Sequence, residues 1–110
     1  MTTKTIAKIT YDGKSKGFYN SLNFDNFIKD ISKKESIEQL GCSAFGMSQT
    51  KYVWYSNKNN VVIRYLYDYS HNENKSIVDV ILKGKENDIS KVEKIILNEA
   101  QKFDSQGALK

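Results

Sequence analysis

The sequence predicts an α+β domain with the element order β-α-α-β-β-β-α, in which an antiparallel sheet carries its helices on one face. Residues 61–69 and 76–84 are rich in β-branched and aromatic side chains and are separated by a polar, turn-prone segment, as in neighbouring strands. Residues 89–103 instead place apolar side chains at helical spacing. The length of 110 residues is typical of one domain, so residues 1–104 are expected to form one compact unit and residues 105–110 a frayed tail.

The first half of the chain predicts one strand and two short helices. Thr5 to Tyr11 alternates and stops at the turn pair Asp12-Gly13. Apolar residues at helical spacing predict a helix over 22–32, with Ser21 or Asn23 as its N-cap: Phe24, Phe27, Ile28 and Ile31.

The segment after this helix contains a second N-cap pattern. Ser32 is followed three residues later by Glu35, a capping box that predicts a second helix over 33–40, closed by Gly41. Residues 41–50 are small, polar and rich in glycine, and they predict a loop.

Two hairpins then set the register of three strands, 51–56, 61–69 and 76–84. Symmetric closure of the four-residue loop places Trp54 opposite Ile63, and closure of the six-residue loop places Tyr65 opposite Val80. Both registers define the same uncharged face, which is expected to lie beneath the helices: Tyr52, Trp54, Ile63, Tyr65, Tyr67, Val78, Val80 and Leu82.

The last element is predicted to be a long helix that covers this face. Its apolar stripe consists of Ile89, Val92, Ile95, Ile96, Ala100 and Phe103. Asn87, Asp88 or Ser90 is the expected N-cap.

The opposite side of the three strands, here called the outer sheet face, is the predicted partner-binding surface. Arg64 lies diagonal to Asp79 on the next strand, where an ion pair is expected. Apolar side chains surround this pair, and a solvated sheet face normally alternates to polar residues. Strand propensity alone is the competing explanation, because β-branched residues suit strands even when exposed. The predicted surface comprises Val53, Tyr55, Val62, Arg64, Leu66, Ile77, Asp79 and Ile81.

The positive charge predicts an alternative, nucleic-acid-binding function. The net charge is +4, but the seventeen basic residues include a single arginine, the usual residue for forked contacts to phosphate and guanine. Abundant Lys, Asn, Ile and Tyr also match what an AT-rich genome would encode. A nucleic-acid interface would use the basic N-terminal residues Lys4, Lys8, Lys14 and Lys16.

No residue pattern predicts a catalytic centre, a metal site or a cofactor. Gly13-Lys14-Ser15 is not a phosphate-binding loop, because Lys8 occupies the position where that motif needs glycine. The single cysteine, Cys42, has only His71 as a possible histidine partner. No segment is apolar enough to span a membrane or act as a signal peptide, so the expected compartment is the cytoplasm.

A second alternative rests on a resemblance in element order. A strand, two helices, three antiparallel strands and a helix resemble the arrangement of the RelE-type ribonuclease toxins, which implies RNA cleavage by basic and tyrosine side chains on a sheet. Here Lys51, Tyr55, Arg64 and Lys83 would share the outer sheet face. The resemblance includes no residue motif, and Asp68 and Asp79 on the same face would repel RNA.

The sequence therefore predicts a small non-enzymatic interaction protein of the adaptor or inhibitor type. Its outer sheet face is expected to bind a protein partner or a second copy of the chain. A basic nucleic-acid-binding module and a ribonuclease remain the alternatives.

Overall fold

A computed structural model describes residues 1–45 and 48–108 of the chain. Five strands form one sheet in the order β1-β5-β4-β3-β2, and every neighbouring pair is antiparallel. Two helices complete the α+β architecture that the sequence predicts. The elements in chain order are β1 (Thr2–Asp12), a short 3-10 turn (Gly17–Tyr19), α1 (Ser21–Ile31), β2 (Ile37–Phe45), β3 (Gln49–Ser56), β4 (Val61–Ser70), β5 (Lys75–Gly84) and α2 (Glu86–Ala108).

Both predicted hairpin registers are confirmed. Trp54 pairs with Ile63 across β3 and β4, and Tyr65 pairs with Val80 across β4 and β5. Asn60 and Asn74, at the ends of the two loops, adopt positive φ angles of 55° and 52°. Asparagine tolerates this left-handed conformation better than most residues, which explains why these loops close where they do.

The hydrophobic core lies between the inner sheet face and the two helices. Trp54, Tyr65 and Val80 are each at most 2% exposed, as their predicted face requires. Phe24 of α1 stacks on the Tyr65 ring with the centroids 5.3 Å apart. The predicted stripe of α2 is also confirmed, because Ile89, Val92, Ile96 and Ala100 are buried while Ile95 and Phe103 pack at its margin.

The predicted helix over 33–40 and the predicted loop over 41–50 are wrong. Ser32 caps the C-terminus of α1, where its hydroxyl donates to the Lys29 carbonyl at 2.8 Å. Ser36 has a φ of 53°, which breaks any helix, and Ile37 then starts the edge strand β2. A register shift between Gln39 and Gly41 interrupts the alternation of this strand. Residues 46 and 47 of the predicted loop lie outside the described residues.

The predicted helix caps also differ from those in the structure. Asn20 caps α1, with its side-chain oxygen accepting from the Leu22 amide at 3.0 Å. Helix α2 begins at Glu86, so the residues expected to cap it lie inside its first turns. It continues to Ala108, beyond the predicted end of the compact unit at residue 104. No helix within the described ranges is long and apolar enough to cross a membrane.

Candidate docking surface

Within the part of the chain that the structure describes, the outer sheet face has no second layer over it. Both helices contribute to the core on the other face, where Phe24 contacts Trp54 and Ile96 is fully buried. The shortest dimension of the molecule is 22 Å, which fits one sheet and one helix layer. Among residues 1–45 and 48–108, no helix covers the outer sheet face.

The structure brings the eight predicted surface residues together on the three central strands. Tyr55 pairs with Val62 and Val53 pairs with Arg64, while Arg64 also pairs with Ile81 on the other side. The apolar members are half-buried against one another, apart from Ile77, which is 41% exposed. They therefore form a mixed surface, in which apolar side chains alternate with charged ones, and it is only partly shielded by its own side chains.

The expected ion pair between Arg64 and Asp79 is absent from the described part of the chain. Leu66 pairs with Asp79 and Arg64 pairs with Ile81, so the two charged residues are diagonal neighbours as predicted. However, the salt bridges recorded there involve other residues. Diagonal positions lie about 7–8 Å apart at the backbone, and an exposed arginine gains little by holding one extended geometry in water. Both charges are thus available to a partner.

Strand β2 extends the outer sheet face beyond the predicted residues. Gly41 pairs with Val53 and Ser43 pairs with Lys51, so these positions share the face of Val53 and Lys51. A depression of about 310 Å³ lies here, and a Cβ added to Gly41 would meet no atom within 4 Å. A second depression, of about 280 Å³, lies on the other side of Lys51, beside Leu66 and the carboxylates of Asp68 and Asp79.

The lysines of the nucleic-acid alternative do not share one surface. Lys4 pairs with Leu82 and reaches Glu93 of α2, with 2.9 Å between Nζ and Oε1, so it lies on the helix side. Lys8 pairs with Asp79 on the outer sheet face, because the register shifts between Thr5 and Ala7. Lys14 and Lys16 are exposed in the connection between β1 and α1.

The residues of the ribonuclease alternative do share the outer sheet face. Lys51, Arg64 and Lys83 are exposed there, at positions set by the strand registers. The Tyr55 hydroxyl, in contrast, donates to the Asn60 side chain at 2.9 Å. The element order also differs from the one that carried the resemblance, because a strand replaces the second helix.

The possible cysteine–histidine pair does not form. Cys42 is exposed on β2 opposite Tyr52. The Nε2 atom of His71 lies 3.0 Å from the Ser48 hydroxyl, and its ring packs edge-on against Tyr69. In the described ranges, no group of three or more potential ligand residues could hold a metal ion.

The tyrosines whose pKa values are raised lie in the core and not on the outer sheet face. Burial is the main cause that raises the pKa of Tyr65, and it also raises the pKa of Tyr52 and Tyr67. All three lie on the inner face. The Tyr65 hydroxyl donates to the Tyr19 carbonyl at 2.6 Å, so its role in the neutral form is structural.

Comparisons of this chain with protein-family models, curated proteins and solved structures found no match.

Proposed function

We propose that this chain is a small non-enzymatic interaction protein that binds another protein chain through its outer sheet face. The observation that carries the proposal is the uncovered mixed surface on three central strands, with charged residues that have no ion-pair partner in the described chain. Apolar side chains supply contact area in a protein interface, and charged groups fix the orientation and register of the partner.

The two edges of the sheet favour binding through a face over strand addition at an edge. Edge strand β1 has a register shift between Thr5 and Ala7 and carries Lys4 and Lys8. Edge strand β2 has a register shift around the exposed Leu40. Bulges and lysines are the features by which sheets resist edge-to-edge pairing, so both edges are poor templates for a partner strand.

The test is Leu66→Asp, which places a carboxylate at the centre of the outer sheet face. In the free chain the new carboxylate reaches water, so the melting temperature is expected to change little. In a complex it would be taken out of water at the contact, which costs several kcal/mol, about 2–5, and removes binding. The measurements are the melting temperature, the solution mass, and the proteins that crosslink to the chain in its native cell.

Leu97→Asp is the matched control. Leu97 is 39% exposed on α2, on the helix side of the molecule, so the same substitution leaves the outer sheet face intact. We expect it to keep both the solution mass and the crosslinked proteins of the wild type. If Leu66→Asp behaves like Leu97→Asp in every measurement, the outer sheet face is not the docking surface. If Leu66→Asp unfolds the chain, that face belongs to the core.

A further inference from the structure

We infer that the occupant of the outer sheet face is a second copy of this chain, related to the first by a two-fold axis that lies across Leu66. This inference rests on the proposed function and specifies the partner. It is carried by the arrangement of charges around Leu66, which is complementary to itself.

Four charged residues surround Leu66 on the outer sheet face. Lys51 pairs with Leu66 from β3, and Asp79 pairs with it from β5. Arg64 and Asp68 lie two residues before and after Leu66 on β4 itself. Each charge is therefore about 5–7 Å from Leu66 at the backbone, one strand spacing or two residues away. None of the four takes part in an ion pair within the described residues.

A diagonal without charge divides these four residues into a basic half and an acidic half. Gln49 pairs with Asp68 and Ile81 pairs with Arg64, so the line from Gln49 through Leu66 to Ile81 crosses the face obliquely. Lys51 and Arg64 lie on one side of this line. Asp68 and Asp79 lie on the other side.

A two-fold axis at about 45° to the strands, close to this diagonal and in the plane between two facing copies, exchanges the two halves. Lys51 of one copy then faces Asp68 of the second copy, and Arg64 faces Asp79. Leu66 meets its own counterpart on the axis. The strands of the two sheets cross at nearly 90°, which is one of the two common arrangements for packed sheets.

Val53 and Ile77 follow the same symmetry, whereas the axis places Tyr55 and Val62 beyond edge strand β1 of the second copy. Val53 lies beyond Lys51 and Arg64, and Ile77 lies beyond Asp68 and Asp79, so the axis places Val53 over Ile77 of the second copy. Lys8 pairs with Asp79 from edge strand β1, and the axis brings it towards Arg64 of the second copy, so this one like-charge contact opposes association. An isologous contact needs each half of the surface to match the other, and these six positions do so.

The size of the face suits a dimer of weak to moderate affinity. Five strands spaced about 4.8 Å apart, with about eight residues each, present roughly 24 by 27 Å. This is close to the ~800 Å² per partner of a standard interface, but sheet twist keeps the corners apart. We therefore expect a dimer whose stability depends on the charge quartet and falls with added salt.

The experiment uses two chains with reversed charges. The acidic chain carries Lys51→Glu and Arg64→Glu, and the basic chain carries Asp68→Lys and Asp79→Lys. Each chain alone would place like charges opposite each other, so its dimer Kd is expected to rise by at least about tenfold. Mixing the two chains restores opposite charges in all four contacts and is expected to give a one-to-one heterodimer. Sedimentation equilibrium measures the Kd, and native mass spectrometry distinguishes the heterodimer from either homodimer.

The matched control is a chain with Lys94→Glu and Lys102→Glu, which has the same net charge as the acidic chain. Both residues are exposed on α2, so this control is expected to dimerise like the wild type and to form no preferred heterodimer with the basic chain. Circular dichroism confirms the fold of every chain. If a double variant does not fold, the single variants Arg64→Glu and Asp79→Lys replace the two chains in the same mixing experiment.

Two results would overturn the inference. One is a wild-type chain whose solution mass stays at 12.6 kDa at its highest soluble concentration. The other is a dimer whose Kd is the same in the charge-reversed chains as in the wild type. Neither result decides the proposed function, which depends on Leu66→Asp. If the wild type is a monomer and Leu66→Asp removes its crosslinked proteins, the outer sheet face is still a docking surface, but its partner is another protein. If Leu66→Asp changes neither the solution mass nor the crosslinked proteins, both the proposed function and this inference are wrong.

Discussion

Truncating the same side chain on the two sides of the sheet distinguishes the core from the docking face. Val80 on β5 is fully buried beneath the helices, whereas Val62 on β4 is half-buried on the outer sheet face. Both are valines on central strands, so Val80→Ala and Val62→Ala remove identical atoms from similar backbone. We expect Val80→Ala to destabilise the chain clearly more than Val62→Ala.

The magnitude follows from what surrounds each side chain. Val80 lies among buried residues on its own face, including Tyr65, Ile63 and Val78. Removing its two methyl groups loses transfer free energy and leaves a small cavity, which together cost about 1–3 kcal/mol. Val62 has no layer above it in the described chain, so its truncation leaves no closed cavity and should cost below about 1 kcal/mol.

Urea denaturation measures both free energies of unfolding, at protein concentrations where the chain is monomeric. Dilution is necessary because self-association would add stability by mass action and raise the apparent cost of Val62→Ala. Equal costs for the two variants in the monomer would refute the reasoning, since the outer sheet face would then be covered by the chain itself. If Val80→Ala lowers the free energy of unfolding less than Val62→Ala does, the assignment of the buried and the exposed face is reversed.

Three further predictions concern Tyr65 in the core and two glycines of the sheet. Folded Tyr65 resists ionisation because burial raises its pKa, whereas unfolded Tyr65 ionises near pH 10, so stability present below pH 10 is lost as the pH rises above it. Tyr65→Phe should cost about 1 kcal/mol at neutral pH, from the lost hydrogen bond, and should make urea midpoints fall less steeply above pH 10. Gly84→Ala should destabilise by about 1–3 kcal/mol, because its Cβ would lie 2.9 Å from the Asn60 carbonyl oxygen. Gly41→Ala, with no atom within 4 Å of its Cβ, should change thermal stability by less than about 0.5 kcal/mol.

The sheet register could be predicted because two independent local signals agree. The turn residues set the loop lengths, and the alternating side chains set the buried face, so a slip in either hairpin would place Arg64 or Asp79 in the core. Trp54, Tyr65 and Val80 consequently lie on the predicted side. The outer sheet face follows from the same registers, since its residues are the remaining positions of those strands.

Strand β2 could not be predicted because its determinants are distant in sequence. Glu35 resembles the last residue of a capping box, but its carboxylate accepts from the side-chain amide of Asn59 at 3.2 Å and lies 3.6 Å from the Lys58 ammonium group. The Ser56 hydroxyl donates to the Glu35 carbonyl at 3.0 Å. These contacts bind the start of β2 to the β3–β4 loop and override the local helical pattern. The shift between Gln39 and Gly41 then removes the alternation by which a strand is recognised.

The positions of the acidic residues are an argument against strand propensity as the whole explanation of the outer sheet face. Aspartate is among the residues most depleted in strands, yet Asp68 and Asp79 occupy positions on β4 and β5, each beside an apolar neighbour. Propensity accounts for Val62 and Ile81 on an exposed face, but it would favour Thr or Val at the two acidic positions. Asp79 has Lys8 directly opposite it on β1, whereas Asp68 pairs with Gln49 and Ile77 and has no cation directly opposite it within the sheet. The charge at Asp68 gains a physical reason when a basic surface lies over it, and the Lys51–Arg64 half of a second copy would provide that surface.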